Sequence, residues 1–374
     1  MRARVLGALL LLATAFGPVH AEVPKLYLGA DLSYVNEVED CGAVFRKDGK
    51  KVDPFELFAT EGANIVRVRI WNDATWTRYS NLADVKKTIA RSKAAGMQVL
   101  LDFHYSDDWA DGEKQIIPKA WVGLTNEQQA KALYDYTLGV LIELNRTGLM
   151  PEMVQVGNET NSELAGSKKG DPINWTRNAM LFNAGIKAVR DAGAESMIKP
   201  RVMLHIAQPE NVEHWFEAAQ KAGIENYDII GISYYRKWSS MDLAGLGRVI
   251  AKVKQRFGKD VIVVETAYPF TNENADSSGN LLGPDTLIPA YPATPKGQLD
   301  YLVDLTKLTV ANGGSGVIYW EPAWVASSCK TRWGTGSGWD NATFFDQRSH
   351  DALPAFEWFK RDYVGALKSP ERGR

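Results

Sequence analysis

An excess of charge of either sign is absent from this sequence of 374 residues, in which 43 Lys and Arg stand against 45 Asp and Glu. That balance argues against nucleic acid or an anionic lipid surface as the partner. No apolar run reaches the roughly 20 residues that a membrane-spanning helix needs, and no glycine-rich nucleotide loop follows the first predicted strand. These absences favour a neutral ligand. We expect the protein to be a monomer that binds neither a membrane nor nucleic acid.

The N-terminal residues have the layout of a secretory signal peptide. Two Arg precede an apolar run over residues 5–16, and a Gly-Pro-Val-His-Ala segment ends at Ala21. Because the run is too short for a membrane anchor, we expect residues 1–21 to be removed by cleavage after Ala21. The mature chain, residues 22–374, is then predicted to be one secreted or periplasmic domain, since its length is normal for one α/β barrel with insertions.

From residue 26 onward, short β-branched runs alternate with amphipathic helical patterns. This alternation predicts a parallel sheet covered by helices, and eight such pairs favour a closed (β/α)8 TIM barrel over an open sheet. The predicted strands are Leu26–Ala30, Ile65–Trp71, Gln98–Phe103, Met153–Val156, Arg201–His205, Ile229–Tyr234, Val261–Val264 and Gly316–Tyr319. The clearest predicted helices are Leu82–Ala95, Asn126–Asn145, Thr176–Ala192, Asn211–Ala222, Asp242–Phe257, Gly297–Ala311 and Asp351–Lys360.

Two of these strands end in glutamate. Asn158-Glu159 follows the fourth strand and Glu265 closes the seventh. Reactive groups of TIM barrels lie at the C-terminal ends of strands, so both carboxylates should face each other across the barrel mouth. Glycoside hydrolysis needs such a pair, about 5 to 5.5 Å apart in a retaining enzyme, and Asn158 is placed to bind the 2-hydroxyl of the sugar.

Each glutamate alone could instead make a structural ion pair. Their joint placement on strands four and seven, with Asn158 directly before Glu159, favours catalysis over that alternative.

These residues resemble the clan A glycoside hydrolases, which are retaining barrels, and most of the mature chain resembles glycoside hydrolase family 53, the endo-β-1,4-galactanases. The motifs that carry the resemblance are Gly29-Ala30-Asp31, residues 66–71 (VRVRIW), residues 102–111 (DFHYSDDWAD), Gly157-Asn158-Glu159, residues 231–235 (GISYY), Val264-Glu265-Thr266 and residues 319–324 (YWEPAW). The resemblance implies an enzyme that requires no cofactor and hydrolyses the β-1,4-galactan side chains of pectin. It also implies that Glu159 is the acid/base and Glu265 the nucleophile.

Other residues at the rim are predicted to support the two glutamates. Arg69, at the end of strand two, should hold the nucleophile ionised by charge and hydrogen bonding, whereas Arg67 fits a core layer. The alternative for Arg69 is a structural bridge to a loop carboxylate. Tyr234, or less favourably Tyr235, should donate a hydrogen bond to Glu265 from the end of strand six.

Two histidines flank the predicted acid/base. His104 follows strand three and His205 closes strand five, where they could bind hydroxyls, tune the pKa of Glu159, or simply be buried with their hydrogen bonds satisfied. Together with nearby Asp102 they could also suggest a zinc hydrolase. That alternative is disfavoured because strand one carries no His-x-His pair and because Asn158-Glu159 would then be unexplained.

Aromatic residues are numerous, with twelve Trp and fourteen Tyr, and flat rings with a polar edge suit the faces of sugars. Trp320 closes strand eight and is predicted to lie under the sugar in the subsite that is cleaved. The candidate platforms further along the groove are Trp71, Trp109, Trp238, Trp324 and Trp339.

The only two cysteines fall in loops after strands one and eight, which are neighbours in a closed barrel. A disulfide between Cys41 and Cys329 is therefore reasonable, and export makes it chemically accessible. The alternative is two buried free thiols.

The loop after strand seven alternates oxygen-bearing side chains at Asn274, Asp276, Ser278 and Asn280, as loops that wrap calcium do. The family resemblance implies a structural calcium ion in this loop of bacterial members. Here Asn274 and Ser278 stand where stronger ligands are expected, so weak or lost binding is the alternative.

The segment after Glu159 departs from the family pattern. Many members carry a Leu-Trp-Pro type segment there, whereas residues 162–171 read SELAGSKKGD, so product length does not carry over. Two rival functions stay open. One is another clan A specificity, such as mannanase or xylanase, against which the rim motifs speak. The other is a catalytically silent barrel that only binds carbohydrate, against which the presence of both carboxylates speaks.

Overall fold

The computed structural model of the protein describes residues 26–166 and 169–365. Its main sheet has eight parallel strands: β1 (Tyr27–Asp31), β2 (Ile65–Ile70), β3 (Gln98–Phe103), β4 (Met153–Val156), β5 (Arg201–Ala207), β6 (Ile229–Ser233), β7 (Asp260–Glu265) and β8 (Gly316–Tyr319). These strands close into a barrel in sequence order, with β8 paired to β1. The predicted (β/α)8 barrel is confirmed. The predicted signal peptide at residues 1–21 lies outside the described residues.

Helices cover the outside of the barrel. They are α1 (Val35–Asp40), α2 (Pro54–Glu61), α3 (Leu82–Ala94), α4 (Asn126–Arg146), α5 (Trp175–Ala194), α6 (Pro209–Lys221), α7 (Leu243–Phe257) and α8 (Pro295–Ala311). Side-chain caps fix several of their starts, as where Asn81 accepts from two backbone N–H groups of α3 and Thr125 forms a capping box with Gln128. Among the described residues, no helix combines the length and apolar character needed to cross a bilayer.

One predicted helix is wrong. The segment Asp351–Lys360 contains a 3-10 helix at Pro354–Lys360 and no α-helix. Asp351 and Ala352 instead make isolated β-bridges to Arg46 and Phe345, and Pro354 lacks the N–H that would continue such pairing. The chain therefore starts to turn only at Pro354.

The interior of the barrel changes from apolar to polar toward the C-terminal ends of the strands. Because alternate residues of a strand point to the same face, the interior is filled in layers to which alternate strands contribute. The lower layers hold Tyr27, Ile65, Leu100, Met153, Met203, Ile229, Ile262, Val264 and Ile318. Above them lie the buried polar side chains Asp31, Arg67, Asp102, Gln155 and His205. Burying charge is costly unless it is paired, so this upper layer must form a hydrogen-bonded network.

A disulfide joins the loops that follow β1 and β8. Cys41 and Cys329 are bonded, with Cα atoms 5.3 Å apart across 288 residues of sequence. The predicted pairing is confirmed, and it restrains the rim of the barrel where the chain closes on itself.

Candidate active site

A left-handed turn after β4 presents Glu159 to the barrel mouth. Gly157 has φ 85° and Glu159 has φ 45°. A Cβ on Gly157 would lie 2.7 Å from Thr160 Cγ2, so only glycine fits this position. Glu159 also adopts a conformation that residues with a side chain rarely take, and such strain concentrates at functional sites.

Glu265, the last residue of β7, is buried and held by two donors. Its Oε1 lies 2.7 Å from Nη1 of Arg67, and the Tyr235 hydroxyl donates to its Oε2 at 3.0 Å. One donor is a permanent cation and the other a neutral hydroxyl. Both contacts stabilise the ionised form of Glu265.

The two glutamates converge. One carboxylate oxygen of Glu159, one of Glu265 and one ring nitrogen of His205 all lie within 4.8 Å of one another. Retaining glycosidases separate their carboxyl groups by about 5 to 5.5 Å and inverting ones by about 6.5 to 9.5 Å. The spacing therefore matches the retaining arrangement. The same three side chains could approach a metal ion, but both ring nitrogens of His205 are engaged with protein groups.

Arg67 is the hub of the buried polar layer. Its Nη1 contacts Asp31 Oδ2 at 2.9 Å as well as Glu265, its Nη2 contacts Asp102 Oδ2 at 2.8 Å, and its Nε donates to Gln155 Oε1 at 3.2 Å. A second contact from Nη2 reaches Oδ1 of Asn158, at 2.8 Å. One guanidinium thus compensates three buried carboxylates and fixes the residue before Glu159.

Two predicted partners of Glu265 are wrong. Arg69 does not reach it, and pairs instead with buried Glu321 at 2.7 Å beneath the aromatic wall of the groove. Tyr234 donates to the carbonyl oxygen of Met241 at 3.1 Å. The residues that do contact Glu265 are Arg67 and Tyr235, because Arg67 lies one layer deeper on the same face of β2 and a register shift at Ser233 changes the alternation along β6.

Glu159 has only uncharged hydrogen-bond partners. The hydroxyl of Ser233 donates to Oε1 at 2.5 Å, and the backbone N–H of Gly112 donates to Oε2 at 3.2 Å. Among the described residues, no basic side chain pairs with this carboxylate. Ser233 was not predicted, although it shares the inward face of β6 with Gly231.

His205 contacts Glu159 at its backbone and, through Ser233, at its carboxylate. Its Nε2 lies 2.8 Å from Ser233 Oγ, and its Nδ1 accepts from the backbone N–H of Glu159 at 3.3 Å. Burial and the nearby Arg67 charge hold the pKa of His205 well below its usual value, so the ring is neutral.

His104 bridges Trp71 and Asp102. Its Nδ1 accepts from Trp71 Nε1 at 3.2 Å, which leaves the proton on Nε2, 3.1 Å from Asp102 Oδ2. Asp102 in turn accepts from Gln155 at 2.6 Å and pairs with Arg67. The pair of His104 and Asp102 thus connects Trp71, which packs behind the wall of the groove, to the polar layer below the two glutamates.

The electrostatic surroundings distinguish the two carboxyl groups. Burial raises the pKa of Glu265 to about 8, while the Arg67 guanidinium opposes this rise and the Glu159 charge adds to it. Burial also raises the pKa of Glu159, against the hydrogen bond from Ser233. Carboxyl groups this close titrate as a pair. Because Arg67 contacts Glu265 alone, the negative charge is favoured on Glu265 and the shared proton on Glu159.

A groove of about 820 Å³ runs over the two glutamates and is lined by Trp109, Trp238, Trp320 and Trp339. Trp71 and Trp324 do not line it, so the prediction that they are platforms is wrong. They are 3% and 9% exposed and pack behind the wall, with ring centroids 5.5 Å from Trp109 and 6.1 Å from Trp320 respectively. Lys169 and Asp171, from the segment that departs from the family, also line the groove.

The four residues of the predicted calcium loop do not act as one set. Asp276 accepts from the backbone N–H groups of Ser278 and Ser337, at 2.8 and 2.7 Å, and Asn280 donates to Asn274 Oδ1 at 3.3 Å. A carboxylate that was not predicted, Asp340, joins them from the loop after β8 by accepting from the Ala275 N–H at 2.9 Å.

Two oxygens near this loop fit a cation. Asn280 Oδ1 and Asp340 Oδ1 are buried and have no hydrogen-bond partner among the described residues. Buried acceptors without a donor are rare in proteins and suit a hard cation such as calcium. Asp340, Asn280 and Asp276 would hold the ion, which would tie the loops after β7 and β8 together. Calcium stays a prediction.

Comparison with known proteins extends over the whole barrel. The sequence profile of glycosyl hydrolase family 53 matches residues 27–359. An arabinogalactan endo-β-1,4-galactanase from Cellvibrio japonicus is 53% identical over 376 residues, covering 99% of this chain and 100% of that protein. An endo-β-1,4-galactanase from Bacillus subtilis is 37% identical, covering 87% of this chain and 78% of that protein. The solved catalytic domain from Ignisphaera aggregans superposes with a TM-score of 0.82 at 28% identity, covering 93% of this chain and 99% of that domain.

Proposed function

Because the chain belongs to glycosyl hydrolase family 53, we propose that it is a retaining endo-β-1,4-galactanase that hydrolyses the β-1,4-galactan side chains of pectin. The observation that carries this proposal is that a carboxylate oxygen of Glu159 and one of Glu265 lie within 4.8 Å of each other in unlike surroundings. Glu265 touches a guanidinium, whereas the donors to Glu159 in the described ranges are neutral. This difference supports a nucleophile and an acid in one site.

Hydrolysis then takes two steps. In the first, Glu265 attacks the anomeric carbon while Glu159 transfers its proton to the glycosidic oxygen, so that the bond to the leaving sugar breaks and a glycosyl ester forms on Glu265. In the second, ionised Glu159 takes a proton from water, and that water attacks the same carbon and releases Glu265. Two inversions leave the anomeric configuration unchanged.

Other residues bind and orient the substrate. Trp320 follows β8, next to the strand that carries Glu265, which supports a platform under the sugar that is cleaved. Asn158 donates to the carbonyl oxygen of Ala110 at 2.9 Å. The side-chain amide has a second N–H, which is available for the sugar 2-hydroxyl. Because this hydroxyl contact strengthens in the transition state, it lowers the barrier.

Galactan is favoured over mannan or xylan by the names of the similar enzymes from Cellvibrio japonicus and Bacillus subtilis. A silent carbohydrate-binding barrel is disfavoured because both carboxylates and their polar partners are in place. The predicted signal peptide, together with the Cys41–Cys329 disulfide, supports action in the periplasm or outside the cell, where disulfides persist.

One experiment tests both class and substrate. Wild type, Glu265→Ala and the matched control Glu56→Ala, which removes an exposed glutamate of α2, are incubated with galactan, mannan, xylan and arabinan. We expect new reducing ends from galactan alone, equal rates for wild type and Glu56→Ala, and a loss of about 10⁴-fold or more for Glu265→Ala. Proton NMR should show the β-anomer as the first product. Release from mannan or xylan but not galactan would overturn the substrate, and an α-anomer would overturn retention.

A further inference from the structure

We propose that His205 and Ser233 form a one-way chain of hydrogen bonds that orients Glu159 and stabilises its ionised form in each catalytic cycle. The inference rests on the proposed function, in which Glu159 is the acid/base. It assigns Ser233 and His205 as positioning residues, because they act through Glu159 and not on the substrate.

The chain is short, buried and continuous. Ser233 Oγ lies 2.5 Å from Glu159 Oε1 and 2.8 Å from His205 Nε2. Ser233 and His205 are both fully buried, on the neighbouring strands β6 and β5. A hydroxyl has only one proton to donate, so the direction of the chain depends on which nitrogen of His205 carries its proton.

The contacts of Nδ1 settle that direction. The backbone N–H of Glu159 donates to Nδ1, and Gln155 Nε2 lies 3.0 Å from it. Asn158 Oδ1 is also close, at 2.9 Å, but it already accepts from Arg67 and Gln155. The Glu159 N–H has no other acceptor among the described residues. An N–H can donate only to a lone pair, so Nδ1 carries the lone pair and Nε2 carries the proton.

Every link therefore donates toward Glu159. Nε2–H of His205 donates to Ser233 Oγ, and the Ser233 hydroxyl donates to Glu159 Oε1. The proton that leaves Glu159 cannot enter this chain, because Ser233 Oγ already accepts a hydrogen bond from His205 and the neutral ring keeps its own proton. The proton of Glu159 passes to the glycosidic oxygen as the glycosidic bond breaks. The carboxylate that remains on Glu159 keeps its hydrogen bond from Ser233. In the second step the proton returns to Glu159 from water.

Other charged and titratable groups also act on Glu159, and they set the background for a pH test. Glu265 and Tyr235 face it across the groove, Arg67 lies below, and Asp111 approaches from the loop after β3. The remaining ionisable side chains that line the groove are Glu113, Lys169, Asp171 and Glu210. Ser233→Ala alters none of these groups, so a change in the pH profile reports the hydroxyl itself.

The test is the pH dependence of kcat/KM for Ser233→Ala. Loss of a donor to the carboxylate raises the pKa of Glu159, so the basic limb should shift upward by about 0.5 to 1 pH unit. A weaker acid should also lower kcat/KM on galactan by about two- to fivefold on the plateau of the pH profile, where Glu159 is protonated in both proteins. An aryl β-galactobioside with an acidic phenol as leaving group needs no proton from Glu159, so its kcat/KM should stay within about twofold of wild type.

The matched control is Ser92→Ala. Ser92 is also buried and hydrogen-bonded, donating to the Thr88 carbonyl oxygen at 2.8 Å within α3, away from the groove. Ser92→Ala should leave kcat/KM on both substrates and its pH profile unchanged. A basic limb of Ser233→Ala that is unmoved or shifts downward would overturn the chain, as would equal losses on both substrates. Wild type that releases nothing from galactan would instead refute the proposed function, so the two failures are distinguishable.

Discussion

Two acidic clusters near the barrel mouth differ in one respect, namely whether the protein supplies a cation. The floor cluster consists of Asp31, Asp102 and Glu265 around Arg67. The rim cluster consists of Asp276 and Asp340 beside Asn280, and no basic side chain forms an ion pair with either aspartate among the described residues. Burial would raise the pKa of Asp102, but Arg67, His104 and His205 together lower it, while burial raises the pKa of Glu265 in the same cluster to about 8. In the rim cluster, burial and the Asp276 charge raise the pKa of Asp340 to about 6.

The floor cluster contains a basic side chain that balances its buried charge, whereas the rim cluster does not. In the floor cluster the guanidinium is shared among three carboxylates, so their positions relative to the reacting carbon are fixed before substrate binds. In the rim cluster two acceptor oxygens lack donors, so an ion from solution can complete it. We therefore expect changes in the floor cluster to affect both catalysis and stability. We expect changes in the rim cluster to act mainly on the loops after β7 and β8.

Removing the cation of the floor cluster should have the largest effect. Arg67→Met leaves three carboxylates uncompensated, whereas the control Arg69→Met leaves only Glu321. Breaking one buried pair costs about 3 to 5 kcal/mol, so we expect that loss for Arg69→Met and a greater one for Arg67→Met, measured by urea unfolding at pH 7. Arg67→Met should recover stability as the pH falls, because protonation discharges the buried carboxylates. Equal losses for the two variants would contradict the role of Arg67 as the shared cation.

Removing the neutral donor of the floor cluster should have a smaller effect. Tyr235→Phe deletes the hydrogen bond to Glu265 and should lower kcat/KM on galactan by about ten- to a hundredfold. Because that bond favours the ionised form, its loss raises the pKa of Glu265, and the acidic limb of the pH profile should move to higher pH. Tyr234→Phe is the control, since the hydrogen bond that its hydroxyl makes within the described part of the chain goes to the Met241 carbonyl oxygen. If Tyr234→Phe moved the acidic limb as far as Tyr235→Phe, the assignment of Tyr235 would fail.

Sequence reasoning identified the elements whose signals are local. The strands follow from β-branched runs, and both glutamates were found because they stand at strand ends, where barrel enzymes place their chemistry. The disulfide followed from the adjacency of β1 and β8. None of these inferences needs a distance finer than the spacing between strands.

The site residues that were assigned wrongly or missed depend on stagger, register and loop contacts that the sequence does not reveal. Arg67 and Arg69 point to the same face of β2 and differ by two residues, about 6.6 Å along the strand. The sequence does not say which of them is level with Glu265, since that depends on the stagger between β2 and β7. Tyr234 and Tyr235 were confused because the register shift near Ser233 interrupts the alternation of β6. Asp340 was missed because it reaches the rim cluster from a distant loop.

Calcium should have the smallest effect, and it tests the rim cluster directly. We expect millimolar calcium to raise the Tm by about 2 to 4 °C at pH 7.5. The folded-state pKa of Asp340, about 6, exceeds its ordinary value. Without calcium, this carboxyl group therefore favours the folded state below its ordinary pKa, and that contribution is lost as the pH rises through about 6. Calcium needs the ionised form of Asp340, so the increase in Tm should be full above pH 6 and should vanish as the pH falls below it.

Asp340→Asn should abolish the increase in Tm on adding calcium. Glu273→Gln, an exposed control in the loop after β7, should retain it. A wild type that is indifferent to calcium and to chelator at pH 7.5 would show that the rim cluster is stable without an ion.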